Sequence, residues 1–135
     1  MKLGMSGSRN GISPYALTSF MNFLLANDIT EAHHGDCVGA DTIFHETVSK
    51  FKIKTVIHPP TVSTMRSNCK GDVILPPKPY LKRNKNIVDN CDLLVAFPGT
   101  KTEQLRSGTW STIRYGKRVG KEIQIFYPDG TVLRC

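Results

Sequence analysis

Three short turns of small residues constrain this chain most. Each follows an apolar run and leads toward a helical pattern. They read Met5-Ser6-Gly7-Ser8-Arg9, then His34-Gly35-Asp36-Cys37-Val38-Gly39-Ala40-Asp41, then Phe97-Pro98-Gly99, running on to Ser107-Gly108-Thr109. Strand, turn and helix repeated in this way imply right-handed crossovers around a mostly parallel sheet. The C-terminal ends of parallel strands share one edge, so the three turns meet there. Backbone N–H groups at such an edge hold anions. The expectation is a small nucleotide-sized ligand, and the pattern does not say whether that ligand is cut.

The remaining elements follow from periodicity. Lys2 to Ser6 reads as a buried strand. Ser13-Pro14 opens a helix, with Ser13 as N-cap and Pro14 in the first turn. Leu17, Phe20, Met21, Leu24 and Leu25 recur at helical spacing as its core face. Ile29 to His34 is the second strand. Gly39-Ala40-Asp41 leads into a helix carrying Ile43, Phe44, Thr47, Val48 and Phe51 on one side. Lys52 to His58 is the third strand, ended by Pro59-Pro60. Thr61 to Pro79 is irregular, and Val73-Ile74-Leu75 reads either as a short strand or as a loop anchor. A loop this long in a compact domain often covers a site or an interface. Tyr80 to Asn90 is a helix with Leu81, Ile87 and Val88 on its apolar side. Asp92 to Phe97 is a fully buried strand. Gly108 to Arg118 is the fourth helix, and Lys121 to Tyr127 the next strand. Pro128-Asp129-Gly130 turns the chain back into an antiparallel edge strand, Thr131 to Arg134.

The fold class expected is therefore α/β, a small Rossmann-like three-layer sandwich. Counting the five main strands in chain order, the sheet order is 3-2-1-4-5 plus the antiparallel edge strand. At 135 residues the whole chain, 1–135, reads as one domain with its own core. The ligand-binding switch then falls between strand 1, ending near Ser6, and strand 4, ending near Phe97.

Composition narrows the function. Lys and Arg number 18 against 11 acids, net +7, which favours anionic partners. The densest basic segments are Lys78 to Lys85 and the group Arg106, Arg114, Lys117, Arg118 and Lys121. No apolar run approaches the roughly 20 residues of a membrane span. The opening MKLGMSGSRNGIS has too short an apolar part, and too much glycine, for a signal peptide. Cys37, Cys69, Cys91 and Cys135 lack zinc-knuckle or C-x-x-C spacing and read as free thiols of a reducing cytoplasm. His33 and His34 are adjacent in a strand and point to opposite faces, so they do not form a ligand pair. No metal and no cofactor is expected.

The candidate site residues lie in the turns. Gly7 lets the backbone approach a ligand, Ser6 and Ser8 offer hydroxyls, and Arg9 a planar fork for phosphate. Gly35 and Gly39 give backbone freedom in the second turn. Asp36 could cap that turn or accept a ribose hydroxyl, and Asp41 mainly fixes the loop. Gly99 belongs to the third turn. Ser107-Gly108-Thr109 at a helix start is the best local phosphate cradle. Arg83 and Asn84 could reach the same edge. The spacing is neither G-x-G-x-x-G nor G-x-x-x-x-G-K-[ST]. Trp110, the one tryptophan, reads as a core or subunit-contact residue rather than a base-stacking one.

The combination of GSR after the first strand, HGDCVGAD, KRN-x-x-IVDNCDLLVAF and a later SGT-x-x-T resembles the small Rossmann-like proteins of the SLOG superfamily, the YspA-like branch above all. More distantly it is similar to DNA-processing protein A and to the LOG phosphoribohydrolases. The resemblance implies a pocket for a nucleotide or nucleotide-derived signal around Ser8, Arg9, Gly35, Gly39, Asp41, Arg83, Asn84, Gly108 and Thr109. It also implies an oligomer with pockets near subunit contacts. The phosphoribohydrolase signature PGG-x-GT-x-x-E is broken here. Thr112 stands where that motif has its glutamate, and Glu103 lies on a loop outside the pattern.

Three functions remain open. The first is binding of a phosphate-containing nucleotide for sensing or sequestration. The second is N-glycoside hydrolysis using Glu103 or Asp36 as a displaced carboxylate, and the third is DNA binding. A homodimer or larger homo-oligomer is expected because Phe20, Phe23, Phe44, Phe51, Tyr80, Trp110 and Tyr115 supply much large apolar surface.

Overall fold

The computed structural model describes residues 1–135. Seven strands form one sheet: β1 (Lys2–Gly7), β2 (Glu31–His34), β3 (Lys54–Ile57), β4 (Val73–Ile74), β5 (Leu93–Phe97), β6 (Glu122–Phe126) and β7 (Val132–Arg134). Four helices connect them: α1 (Pro14–Ala26), α2 (Ala40–Lys50), α3 (Tyr80–Asp89) and α4 (Gly108–Arg118). The spatial order is β4-β3-β2-β1-β5-β6-β7. All neighbours are parallel except β6 and β7. Val73-Ile74, left open in the sequence, adds a strand outside β3, so the sheet is one strand wider than expected. The chain runs outward from β1 to β4, then returns to place β5 against the other side of β1. Winding reverses between β1 and β5.

The pleat divides the core in two. Leu93, Val95 and Phe97 face α1 and α2, where they meet Phe20, Leu24, Phe44 and Val48. Leu94 and Ala96 face the opposite layer, with Trp110, Ile113, Ile123 and Ile125. In β1, Leu3 and Met5 join the first cluster. Gly4 between them has no room for a side chain, since a Cβ would lie 2.8 Å from Cys91 Sγ and 2.9 Å from Ile87. The α3 layer therefore sits directly on the β1 backbone.

Several local expectations change in three dimensions. In α1 only Ala16, Phe20 and Leu24 are buried, while Met21 and Leu25 face outward. A helix lying on a sheet buries a narrow stripe, and these two fall beyond it. Leu81, assigned to the apolar side of α3, is likewise exposed. β3 begins at Lys54 rather than Lys52, because Lys52 takes a left-handed turn (φ 57°) after α2. Phe20, Phe44 and Trp110 are buried within their own chain, and Phe23, Phe51 and Tyr115 pack against its two cores. The aromatic surplus expected to drive assembly is thus mostly covered without a partner.

Candidate functional site

β1, β2 and β5 are parallel neighbours, so the three glycine-bearing turns lie on one edge. They are tied together by backbone. Ser8 N–H donates to Phe97 O at 3.0 Å, and Ser8 O accepts from Ala40 N–H at 3.0 Å. Gly7 permits this closeness, since a Cβ there would stand 2.4 Å from the Ala40 Cβ. Gly39 does so as well. Its φ is +99°, and a Cβ would lie 2.3 Å from Arg9 O. Gly39→Ala is expected to cost about 1–3 kcal/mol, from left-handed strain plus displacement of the Arg9 turn. Gly120→Ala, also at positive φ (+75°) but in open space, should cost less. Urea midpoints of the two variants measure the difference.

A cleft of about 630 Å³ opens at this edge. One wall is the β1 turn with Gly7, Ser8 and Arg9, and the other is the start of α4 with Ser107, Gly108 and Thr109. Gly99 and Tyr80 also line it. Ser107 caps α4 by accepting from Trp110 N–H at 3.2 Å. The N–H groups of Gly108 and Thr109 make no hydrogen bond inside the chain and border the cleft. Free N–H groups at a helix start favour negative charge. Arg9 is exposed and has no acidic partner. No aspartate or glutamate lines this cleft.

A smaller cavity adjoins it and shares Gly7, Arg9 and Tyr80. Ser6, Gly35, Asp41, Arg83 and Asn84 line it. Asp41 Oδ2 accepts from Gly35 N–H and Cys37 N–H, both at 3.1 Å, and so fastens the second turn. Burial pushes its carboxyl up to about 6, against those two bonds and Arg83. Arg83 is itself buried. Its Nη1 donates to Gly35 O at 2.6 Å and His58 O at 3.1 Å, and Nε donates to Asn84 Oδ1 at 2.7 Å.

The structure thus gathers twelve of the fourteen candidate residues around two joined cavities. Gly39 stands behind them as a positive-φ turn packed against the Arg9 backbone. Asp36 lies apart from both cavities. Its Oδ2 accepts from Arg66 Nε at 2.8 Å and its Oδ1 from Cys69 N–H at 2.9 Å. It fully buries itself in holding the loop after β3, facing neither cavity. Burial raises its carboxyl, yet the bonds from Arg66 and Cys69 outweigh this and hold it below the usual range. Glu103, the other candidate carboxylate, pairs with Arg114 at 2.7 Å. Thr112 bonds back to Gly108 O within α4. Trp110 is a core residue whose indole N–H finds no partner. Tyr80 was missed. It sits 2.7 Å from where a Gly108 Cβ would be, and stacks under the Arg83 guanidinium at 4.8 Å. Its only sequence signal is a tyrosine opening a helix after proline.

One cluster has metal-ligating atoms close together, His34, His45 and Cys69 within 4.8 Å. Its hydrogen bonds commit it otherwise. His34 Nδ1 accepts from Asp36 N–H at 2.9 Å, so the neutral ring carries its proton on Nε2 and donates to His45 Nδ1 at 2.9 Å. A metal at His34 Nε2 would require moving that proton and losing the Asp36 bond. Burial also pushes the Cys69 thiol up to about 11, away from the thiolate that a metal needs. The donor set does not fit an ion.

No helix is long and apolar enough to cross a membrane. No known family profile and no curated protein matches the sequence. Among solved structures, the chain is similar to the X-ray structure of DNA processing protein A from Streptococcus pneumoniae. The TM-score is 0.64 at 19% identity, covering 92% of this chain and 49% of that one. The chain therefore spans about half the length of that protein and shares its Rossmann-like fold.

Proposed function

We propose that the chain is a nucleotide-binding domain of the YspA-like branch of the SLOG superfamily. It holds a phosphate-containing nucleotide or nucleotide-derived signal for sensing or sequestration. The carrying observation is the composition of the large cleft: Arg9, two unpaired helix N–H groups and no carboxylate. Phosphate lies between Arg9 and the start of α4, and Tyr80 flanks the rest of the ligand. N-glycoside hydrolysis needs a carboxylate beside the sugar. Asp36 and Glu103 are engaged elsewhere, and Asp41 is held by two backbone N–H groups, which favours binding over cleavage. Exposed Leu81 and Leu105 at the cleft mouth suit a contact with a second subunit.

Mass spectrometry of small molecules released from denatured protein identifies the ligand. Its absence from the released fraction, and no binding of any nucleoside phosphate, would defeat the proposal. Arg9→Ala is expected to weaken binding about ten- to a hundredfold, the worth of one charge-assisted contact. Thr109→Ala should cost less, because the helix N–H groups remain, and Thr109→Glu more, because its carboxylate competes for them. Calorimetry with the released nucleotide ranks the three.

Nucleic acid is the weaker alternative. The groove between α3 and α4 carries Lys85, Arg114 and Arg118 around Tyr115. Lys85 and Arg118 both sit 5.5 Å from that ring's centroid, and its hydroxyl donates to Asp89. The ring is thus occupied by the chain's own cations rather than free for a base. Salt-sensitive retention of DNA without small-ligand binding would reverse this preference.

A further inference from the structure

A line of hydrogen bonds leads from the sheet surface to a different pocket. Glu31 Oε1 accepts from His33 Nε2 at 2.7 Å, and His33 Nδ1 meets His58 Nε2 at 2.8 Å. A carboxylate only accepts, so it fixes the proton of neutral His33 on Nε2. His33 Nδ1 must then accept, and His58 must carry its proton on Nε2. This leaves the His58 Nδ1 lone pair without a partner in the chain. His58 is 4% exposed, yet that atom is not sealed among the buried unpaired groups. His58 lines a pocket of about 250 Å³ beside β3 and α3.

Besides Arg83, the other polar side chains that line it are Lys78, Asn86 and Asn90, and Asn90 already spends its N–H2 on Asn86 O. Lys78 has no acidic partner, and the Asn86 side-chain amide makes no hydrogen bond in the chain. Arg83 forms the back wall, shared with the small cavity at the β1 edge. No carboxylate lines the pocket. Burial, helped by His33, Arg83 and Lys78, pushes His58 down to about 4, which keeps its ring neutral near neutral pH.

We propose that this pocket is a second ligand site, selective for hydrogen phosphate. Lys78 and the Asn86 amide donate to its oxygens while His58 Nδ1 accepts its P–OH proton. An acceptor that His33 holds in one tautomer, beside a lysine and an amide free to turn its N–H2 inward, distinguishes anions of equal charge and shape. At mildly alkaline pH hydrogen phosphate and sulfate are both tetrahedral dianions, but only phosphate brings a proton. A phosphate monoester, with its second ionisation near about 6, has lost that proton by about pH 8. Sulfate and monoester would each set a bare oxygen against the His58 lone pair.

The test uses Arg9→Ala protein, so that the nucleotide cleft does not compete, and NMR signals of the Asn86 and Asn90 side-chain amides and the histidine ring nitrogens. Titration with inorganic phosphate at about pH 8 should shift these signals, with affinity about tenfold or more above sulfate and methyl phosphate. Lys78→Ala should weaken phosphate strongly. His58→Asn, whose amide can turn to donate, should erase the preference over sulfate. Ring-nitrogen spectra of the unliganded protein should show His58 protonated at Nε2. Equal binding of phosphate and sulfate, no shift with phosphate, or a His58 proton on Nδ1 would each overturn the site, whatever becomes of the nucleotide cleft.

Discussion

Arg83→Met is expected to destabilise the fold by about 3–5 kcal/mol. Arg83 is 3% exposed and bridges the ends of two strands, through Gly35 O after β2 and His58 O after β3. Methionine fills similar volume but donates nothing. Two carbonyls away from bulk water would then lose a charged donor. Asp41, buried nearby, would lose the cation that holds its carboxyl down. Gly35 shows how closely the fold fits the guanidinium, since a Cβ there would stand 2.3 Å from Arg83 Nη1. Arg83→Lys should recover part of the loss, because an ammonium reaches one carbonyl but lacks the fork. For a chain of this size the Met variant should melt roughly 10 °C or more below wild type. A loss under about 1 kcal/mol in urea denaturation would mean that water replaces the guanidinium freely.

Acid should unfold the protein well before its carboxylates alone would. Burial is the main cause holding His34 down to about 3 and His58 to about 4, and it also lowers His33, from an unfolded value of 6.5. Each is neutral in the fold and takes up a proton on unfolding. Their contribution is complete above 6.5 and is lost as pH falls through the window down to the folded values. For His34, almost wholly buried, acidification from 6.5 to about 4 removes about 3 kcal/mol. Asp41 acts in the opposite sense. Its folded value, about 6, lies above the ordinary 3.8, so its contribution is present at low pH and lost as pH rises through 6. Between those values it offsets one histidine and leaves the others uncompensated. Urea midpoints measured at about pH 7 and about pH 4.5 should fall by a large share of total stability. A flat profile would show that these rings are protonated in the folded state.

The sequence placed the strands that carry the site because buried parallel strands are short apolar runs bounded by turns, as in Leu93–Phe97. It placed the edge too, since every turn that follows a parallel strand emerges on the same side. It overestimated the buried face of α1, where Met21 and Leu25 match the helical period but lie past the contact stripe. It gave Val73-Ile74 no decided role, because two residues carry no period of their own.

Roles of polar residues were harder to read. Asp36 and Asp41 stand in one turn with the same chemistry, yet Asp36 faces Arg66 and Cys69 while Asp41 faces the N–H groups of Gly35 and Cys37. The partner that separates them, Arg66, comes from a loop 30 positions away. Tyr80 joined the cleft only because α3 begins beside Gly108. Glu31, His33 and His58 became one proton line only when β2 paired with β3. The sequence by itself determined the strand–turn–helix alternation, and hence the fold class and the glycine-bearing edge, because backbone sterics and hydrophobic period are local. The tertiary structure alone decided which charged and polar side chains line the cavities and which hold the frame, because that depends on partners brought from distant parts of the chain.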